Sequence, residues 1–411
     1  MPFSARAGDF LTRPTLMRAS DALATNVLMY AVPLLVLTTT GSASLTGVAF
    51  LMEWLPRLAA FTVGGPLVDR YRADRVFRAA TAVRSLLLIT AAAALALLPG
   101  SGTLTTAVVM AVGAISGFLA QAAFLAVETI GAETSRRAGE RAHRVQSIQI
   151  GIDQSALLIG PLLGGLLLLA GPSCLLIVVA ILSIAAMLAT TRQTDAPVAL
   201  PARHPSVLSS LRTGWRTVLA IPALTCLVAG LIASNLAVAV AQASAPITVL
   251  QAFGGSSLTV GAVWSAAGVL SLSAVAVSRQ LVDRYGLWPV GAAAAGTACV
   301  ACFAIALAPE LVSYAVAIGV MMAGEGALTV VLRTLRARLI PRAVFGSTLS
   351  VTIVLVVIPM PLAGALVALL PASALNSLLL ICAVLQGMAM ALAFRGLWRH
   401  RTSYTYPAVG S

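Results

Sequence analysis

An all-α integral membrane protein, with twelve transmembrane helices in two pseudo-symmetric six-helix halves, is the fold class this sequence predicts. Three observations carry that reading. Hydrophobic residues make up 59% of the chain and charged residues 9%, with a mean hydropathy of +0.99, whereas a soluble globule carries about 25% charge. The apolar runs are continuous over about 20 residues, the length of a membrane span, and do not alternate as barrel strands do. The pentapeptide LVDRY occurs twice, at 67–71 and 281–285. Each copy ends one apolar run and precedes another, the mark of a chain built from two related halves.

Taken in order, the spans are expected at 18–40, 44–68, 76–98, 104–130, 145–170, 173–191, 220–245, 257–279, 288–308, 311–332, 345–369 and 373–395. Short clusters rich in Gly, Pro and polar residues separate them, as at LLPGSGT, AGPS, FGGSS, LAPE and LLPAS. The start, MPFSARAGDFLTRPTLMR, is polar and basic and leads straight into a full-length apolar run. It has no cleavable-signal pattern, so the first span is expected to act as its own insertion signal. The stretch from Gly64 to Arg78 carries Asp69, Arg70, Arg72, Asp74, Arg75 and Arg78. It reads as a short water-facing loop, because that much charge cannot sit in hydrocarbon.

Every second gap is basic. Arg70, Arg72 and Arg75 lie between spans 2 and 3, Arg136, Arg137, Arg141 and Arg144 between 4 and 5, Arg284 between 8 and 9, and Arg336, Arg338 and Arg342 between 10 and 11; the alternate gaps contain no Arg. Since arginine is retained inside, both termini are expected in the cytoplasm. The interruption at 192–216, with Pro197, Pro201 and Pro205, reads as a linker. The expected organisation is therefore an N-terminal half at 1–191, the linker at 192–216, a C-terminal half at 217–398 and a cytoplasmic tail at 399–411.

Other classes are disfavoured by the residue inventory. There is no lysine, and the 26 basic residues, all arginine, follow membrane topology, which argues against a nucleic-acid face. Cys174, Cys226, Cys299, Cys302 and Cys382 sit in or beside apolar segments, so a disulfide framework is not expected. The Cys299–Cys302 spacing lies in a run of Ala and Val and reads as packing. His143, His204 and His400 fall in loops or the tail, no cluster has metal-ligand spacing, and no GKS/T loop for ATP is present. No metal, cofactor or ATP is expected, and the chain is expected to be a monomer. A membrane enzyme would need a nucleophile or a paired acid and base, and a sensor would usually carry a long soluble extension.

Twelve spans, a central linker and a D-R loop after spans 2 and 8 together resemble the major facilitator superfamily over essentially the whole chain. In that family the loop motif is G-x-x-x-D-R-x-G-R-[RK]; Gly65, Asp69 and Arg70 match it, Arg72 stands in place of the second glycine, and Asp74 interrupts the basic pair. The resemblance implies that Asp69 and Arg75 form a cytoplasmic latch. In span 5, Gly160, Pro161, Gly164 and Gly165 form GPxxGG, similar to the superfamily's antiporter motif, although Ala156 stands where the longer form has glycine. An ordinary small-residue packing seam is the alternative reading of those glycines. The phrases SDALATNVLMYAVPLLVLTTTGS, LPRLAAFTVGGPLVDR and QSIQIGIDQSALLIGPLLGG are similar to the bacterial branch containing enterobactin-type siderophore exporters and macrolide efflux pumps.

Asp21, Glu53, Glu128, Asp153 and Glu325 lie within apolar segments. An unpaired charge there costs at least ~2.5 kcal/mol, so each needs a partner, water or a proton. Glu53 and Arg57 are four apart and share one face of span 2; they form either a self-neutralising pair that packs or a cavity position that meets an anionic group. Arg57 is expected to be the one arginine away from the cytoplasmic edge. Asn26, Asn235 and Gln242 join Arg57 and Glu53 as candidate cavity residues. Asp153, two turns before Gly160, is a candidate proton carrier, with Glu53 and Asp21 as further candidates; a structural hydrogen bond is the alternative for Asp153. Glu128 and Glu325 each stand eight residues before an arginine, Arg136 and Arg333, and equal depth in the two halves suggests equivalent roles; the resemblance to the superfamily implies that they pair with loop arginines at the cytoplasmic gate, with Asp283 and Arg284 completing it. Asp21 is expected to pair with an arginine such as Arg84.

The function expected from these readings is secondary active export, through the bacterial inner membrane, of a siderophore or related anionic metabolite by proton-coupled alternating access. Macrolide or multidrug efflux is the second reading, and an importer or facilitator the third.

Overall fold

A computed structural model describes residues 7–97, 102–137, 142–191, 207–341 and 344–399. Every regular element among them is helical. The helices are α1 (Ala7–Thr40), α2 (Ala43–Tyr71), α3 (Ala73–Leu97), α4 (Thr103–Arg137), α5 (Ala142–Leu169), α6 (Pro172–Ala189), α7 (Val207–Ala220), α8 (Pro222–Ile247), α9 (Ser257–Tyr285), α10 (Leu287–Ala306), α11 (Leu311–Leu339), α12 (Phe345–Val357), α13 (Pro359–Leu369) and α14 (Leu375–Arg399). Eleven segments among the described residues are long and apolar enough to cross a membrane, α12 and α13 together making one of them. With α2, whose residues 61–70 have side chains outside those described, this is consistent with twelve spans.

The chain divides into two compact units. Unit 1 comprises Met1–Asp195 and Ala245–Ser265; unit 2 comprises Ala196–Ser244 and Ala266–Ser411. The first unit therefore includes the start of α9 and the π-helical turn at Thr248–Ala252 that follows α8. Its core joins α1, α3 and α6 through Val27, Leu28, Leu35, Leu88, Leu175 and Val179. Leu224, Leu227, Leu328, Val331, Met390 and Phe394 form the core of unit 2, on α8, α11 and α14. The indole of Trp288 donates to the Phe394 carbonyl at 2.9 Å, which fixes α10 on α14.

Two expectations need correction. The stretch 64–78 is not a loop, because α2 runs to Tyr71 and α3 begins at Ala73, leaving only Arg72 between them. The second LVDRY likewise closes α9, and only Gly286 separates it from α10. Nothing in LVDRY stops a helix, so the reversal falls to one residue with positive φ: Gly286 at φ 89°, and Arg72 at φ 70°. Glycine adopts that backbone freely, whereas a side chain there costs about 1–3 kcal/mol. Arg72→Gly is therefore expected to stabilise the protein by about 1 kcal/mol after the added chain entropy of glycine. The bond from the half-exposed Arg72 Nε to the buried Asp74 at 3.2 Å is lost in this variant and offsets part of the gain. A thermal midpoint no higher than wild type would refute this.

The linker expected at 192–216 is helical from Val207. The helix starts after the last of the prolines, and Gly214 lets it sit against the backbone of Ser347 on α12. The span expected at 345–369 holds as one span, within which the helix is interrupted at Ile358 because Pro359 offers no backbone N–H.

Candidate functional site

In the α-helical bundle of unit 1, α2 carries Glu53 and Arg57 one turn apart. By the ~1.5 Å rise per residue, Glu53 lies about 15 Å from the start of its helix. Arg57 Nη2 donates to Glu53 Oε1 at 2.8 Å, and both residues are buried. The guanidinium lies over the Trp54 ring at 5.0 Å, and Nη1 reaches the sulfur of Met29 at 3.5 Å. The pairing is unfinished. Arg57 Nε, Glu53 Oε2 and the Ser116 hydroxyl are buried with no hydrogen-bond partner, a costly state for polar atoms unless a ligand or water completes them.

These groups face a small pocket of about 10 Å³, room for about one water, lined by Glu53, Arg57, Arg84, Thr25, Leu28 and Gly117, among others. Gly117 lets α4 approach α2 closely, since a Cβ there would strike the Glu53 carbonyl. Arg84 is 1% exposed, and its own bonds are complete: Nη2 to Asp21 at 2.6 Å, Nε to the Ser183 hydroxyl at 3.0 Å and Nη1 to the Thr25 hydroxyl at 3.1 Å. Asp21 thus takes the partner expected from the sequence. Arg57 is not the one arginine away from the edge of the membrane, however, because Arg84 stands eleven residues into α3. Its apolar flanks hid this, since the side chain reaches the core through the gap between α1 and α6.

A second charged cluster centres on Arg18 of α1. Its Nε donates to Asp153 Oδ1 at 2.8 Å and its Nη2 to Asp153 Oδ2 at 2.5 Å, while Nη2 also bonds Glu128. Two carboxylates from α4 and α5 therefore share one guanidinium, leaving one negative charge in excess. Arg18, 7% exposed, was not singled out in the sequence because it stood at the border of span 1. Its place three residues before Asp21, on the same side of a helix that extends back to Ala7, is the signal that could have marked it. The partner expected for Glu128, Arg136, has a side chain outside the described residues.

The equivalence expected between Glu128 and Glu325 does not hold. In unit 2, Glu325 accepts from the Ser234 hydroxyl and from Gln386 Nε2 at 3.2 Å, and Gln386 also donates to Ser234 at 2.9 Å. Glu325 is therefore held by neutral donors in the core and not by Arg333, which is exposed. Gly324 and Gly326 seat α11 against the backbones of α10 and α9, which fixes the Glu325 backbone between them. The five described ion pairs all fall in unit 1.

Of the remaining candidates, Asn26 and Asn235 make the same intrahelical bond, to Ala22 O at 2.8 Å and Leu231 O at 2.9 Å, and Asn26 is not part of the cavity lining. Gln242 is half-buried. Arg75, Asp283 and Arg284 are exposed, with Arg284 over the Tyr285 ring at 5.3 Å. The side chains of Gly65, Asp69 and Arg70 lie outside those described.

The GPxxGG residues serve two packing faces of α5. A Cβ at Gly160 would lie 2.6 Å from Asn26 Cβ, and one at Gly164 would lie 3.1 Å from the Val27 carbonyl, so both seat α1. Gly165 meets the Ser257 carbonyl instead, and Ser257 donates back to Gly165 O at 3.0 Å. Pro161 presents its carbonyl to Gly261, and Leu162 N–H donates to the Ser265 hydroxyl at 3.1 Å. Gly165→Ala is expected to destabilise the protein by about 1–3 kcal/mol, since the obstruction is backbone and cannot rotate away. An unchanged unfolding midpoint would show that the seam is looser than this geometry.

Residues 15–364 match the family profile described as Major Facilitator Superfamily. The chain belongs to that superfamily. It is accordingly a multi-pass membrane protein of a transporter family. Among solved structures, this major facilitator chain is similar to a bacterial homologue of the iron transporter ferroportin in an inward-facing state (TM-score 0.73, 15% identity, 96% of this chain and 99% of that one). It is also similar to the nucleoside transporter NupG (TM-score 0.75, 13% identity, 94% and 99%). A bacterial homologue of the human lysosomal transporter Spinster, inward-facing and unoccupied, aligns over 99% of this chain and all of that one at 14% identity, with a TM-score of 0.69. At such identities the likeness establishes the fold alone. No curated protein matches the sequence.

Proposed function

We propose that this major facilitator protein is a secondary active exporter of a small anionic metabolite, with siderophores as the leading class, driven by the proton gradient through alternating access. The observation that carries the reading is the unfinished pairing of Arg57 beside a small polar pocket. A permanently charged guanidinium with a free Nε suits a carboxylate or catecholate oxygen. The Arg18 cluster supports proton coupling, because its excess negative charge is one that a proton at Asp153 or Glu128 would cancel; Glu53 and Asp21 are the further carriers. Export and not import is favoured by the GPxxGG motif, and the inner membrane with cytoplasmic termini by the arginine distribution.

The test compares a deletion strain with its parent under iron limitation, measuring intracellular and secreted siderophore by mass spectrometry. Accumulation inside with loss from the medium is the expected result. Unchanged siderophore together with new sensitivity to macrolides would replace this substrate class with lipophilic drugs. At the residue level, Arg57→Ala is expected to weaken transport of anionic compounds more than of cationic ones, and equal losses would assign Arg57 a structural role.

A further inference from the structure

α7 is not a span. It has 14 residues, VLSSLRTGWRTVLA, about 21 Å at ~1.5 Å per residue, too short to cross a bilayer. Its inner face is well defined: Val218 is 3% exposed within the core of unit 2, Leu211 packs against that core, and Gly214 fits against the Ser347 carbonyl and Val351 of α12. The outer face is a mixture that water alone does not suit. Arg212 and Arg216 stand one turn apart and exposed, and beside them Trp215 is 47% exposed and Leu219 57%.

The position of this face is set by the chain. A single residue, Ile221, separates α7 from Pro222, where a membrane span begins. The corner is rigid, because the Thr225 hydroxyl donates to the Val218 carbonyl at 2.6 Å and the Thr225 and Leu224 N–H groups both donate to Ile221 O. The C-terminal end of α7 is thereby pinned where hydrocarbon gives way to headgroups. A tryptophan and a leucine next to two arginines are the side chains of a helix lying in that layer, with the apolar groups dipping inward and the guanidiniums at phosphate level.

We infer that α7 is an interfacial helix whose outer face binds the anionic phosphate headgroups of the adjoining leaflet through Arg212 and Arg216, with Trp215 and Leu219 inserted beside them. Charge complementarity selects anionic over zwitterionic lipid. Each arginine near a charged surface contributes on the order of 1 kcal/mol, so two give a preference of roughly thirty-fold. Because Gly214 seats α7 on α12, lipid held by this face also restrains the first part of the broken α12–α13 span. None of this depends on the identity of the substrate or on the direction of transport.

Trp215 provides the readout. The full-length protein is reconstituted into phosphatidylcholine vesicles containing increasing amounts of brominated phosphatidylglycerol or brominated phosphatidylcholine. The fluorescence lost on Trp215→Phe isolates this indole from the other four tryptophans. Quenching of Trp215 is expected to favour brominated phosphatidylglycerol by roughly thirty-fold in relative association constant. The preference should fall to near unity in Arg212→Gln/Arg216→Gln and weaken in about 1 M salt. Equal quenching by the two lipids, or a preference that survives the double substitution, would overturn the proposal. So would the absence of quenching by either lipid, which would mean that protein covers this face.

Discussion

Arg84→Ala is expected to destabilise the protein by about 3–5 kcal/mol, the cost of removing one partner from a buried ion pair. Arg84 is 1% exposed and Asp21 6%, and the guanidinium is the donor that satisfies the Asp21 carboxylate, the Ser183 hydroxyl and the Thr25 hydroxyl together. Alanine leaves all three without it and also opens space among α1, α3 and α6. The loss should appear as a lower unfolding midpoint in detergent. Asp21→Asn combined with Arg84→Ala should cost clearly less than the two single losses added, because the second change removes the charge that the first has stranded. A loss below about 1 kcal/mol for Arg84→Ala would show that water reaches the pair and that the cluster is not a structural anchor.

Asp153→Asn is expected to reduce gradient-driven transport by roughly 10²-fold or more while counterflow exchange, which needs no net proton movement, continues. Asparagine keeps the volume of the side chain and one acceptor oxygen for Arg18, and Glu128 remains on the same guanidinium. The fold is therefore preserved while the ability to take up and release a proton at this position is lost. Undiminished gradient-driven transport would remove Asp153 from the coupling role and leave its bonds to Arg18 as a link between α1 and α5. Loss of both activities would point to a positional fault and not to coupling.

The partners of Asp153 illustrate the limit of reading this chain without its fold. Spacing along one helix is a local property, so Glu53 and Arg57 could be paired from the sequence: four residues apart on a helix is about one turn. The spans themselves were legible for the same reason, since each is a continuous apolar run. The resemblance to the major facilitator superfamily is the one the family profile establishes. The one-residue reversals were not legible. They depend on φ at Arg72 and Gly286, and LVDRY followed by arginine shows no sign that the backbone turns there.

What the sequence alone determined, then, is the membrane class, the helical spans, the family and the inventory of intramembrane charges. The family follows from the resemblance of the loop and span 5 motifs, and the rest from composition and from continuous apolar runs. Only the tertiary structure decided which charges meet: Arg18 with both Asp153 and Glu128, Arg84 with Asp21, and Glu325 with Ser234 and Gln386 instead of an arginine. Each of these links helices separated by 60 or more residues. Partner choice there depends on the rotation of each helix about its axis and on close approaches permitted by glycines such as Gly160, Gly164 and Gly324. Packing sets both of those, and local spacing carries no record of either.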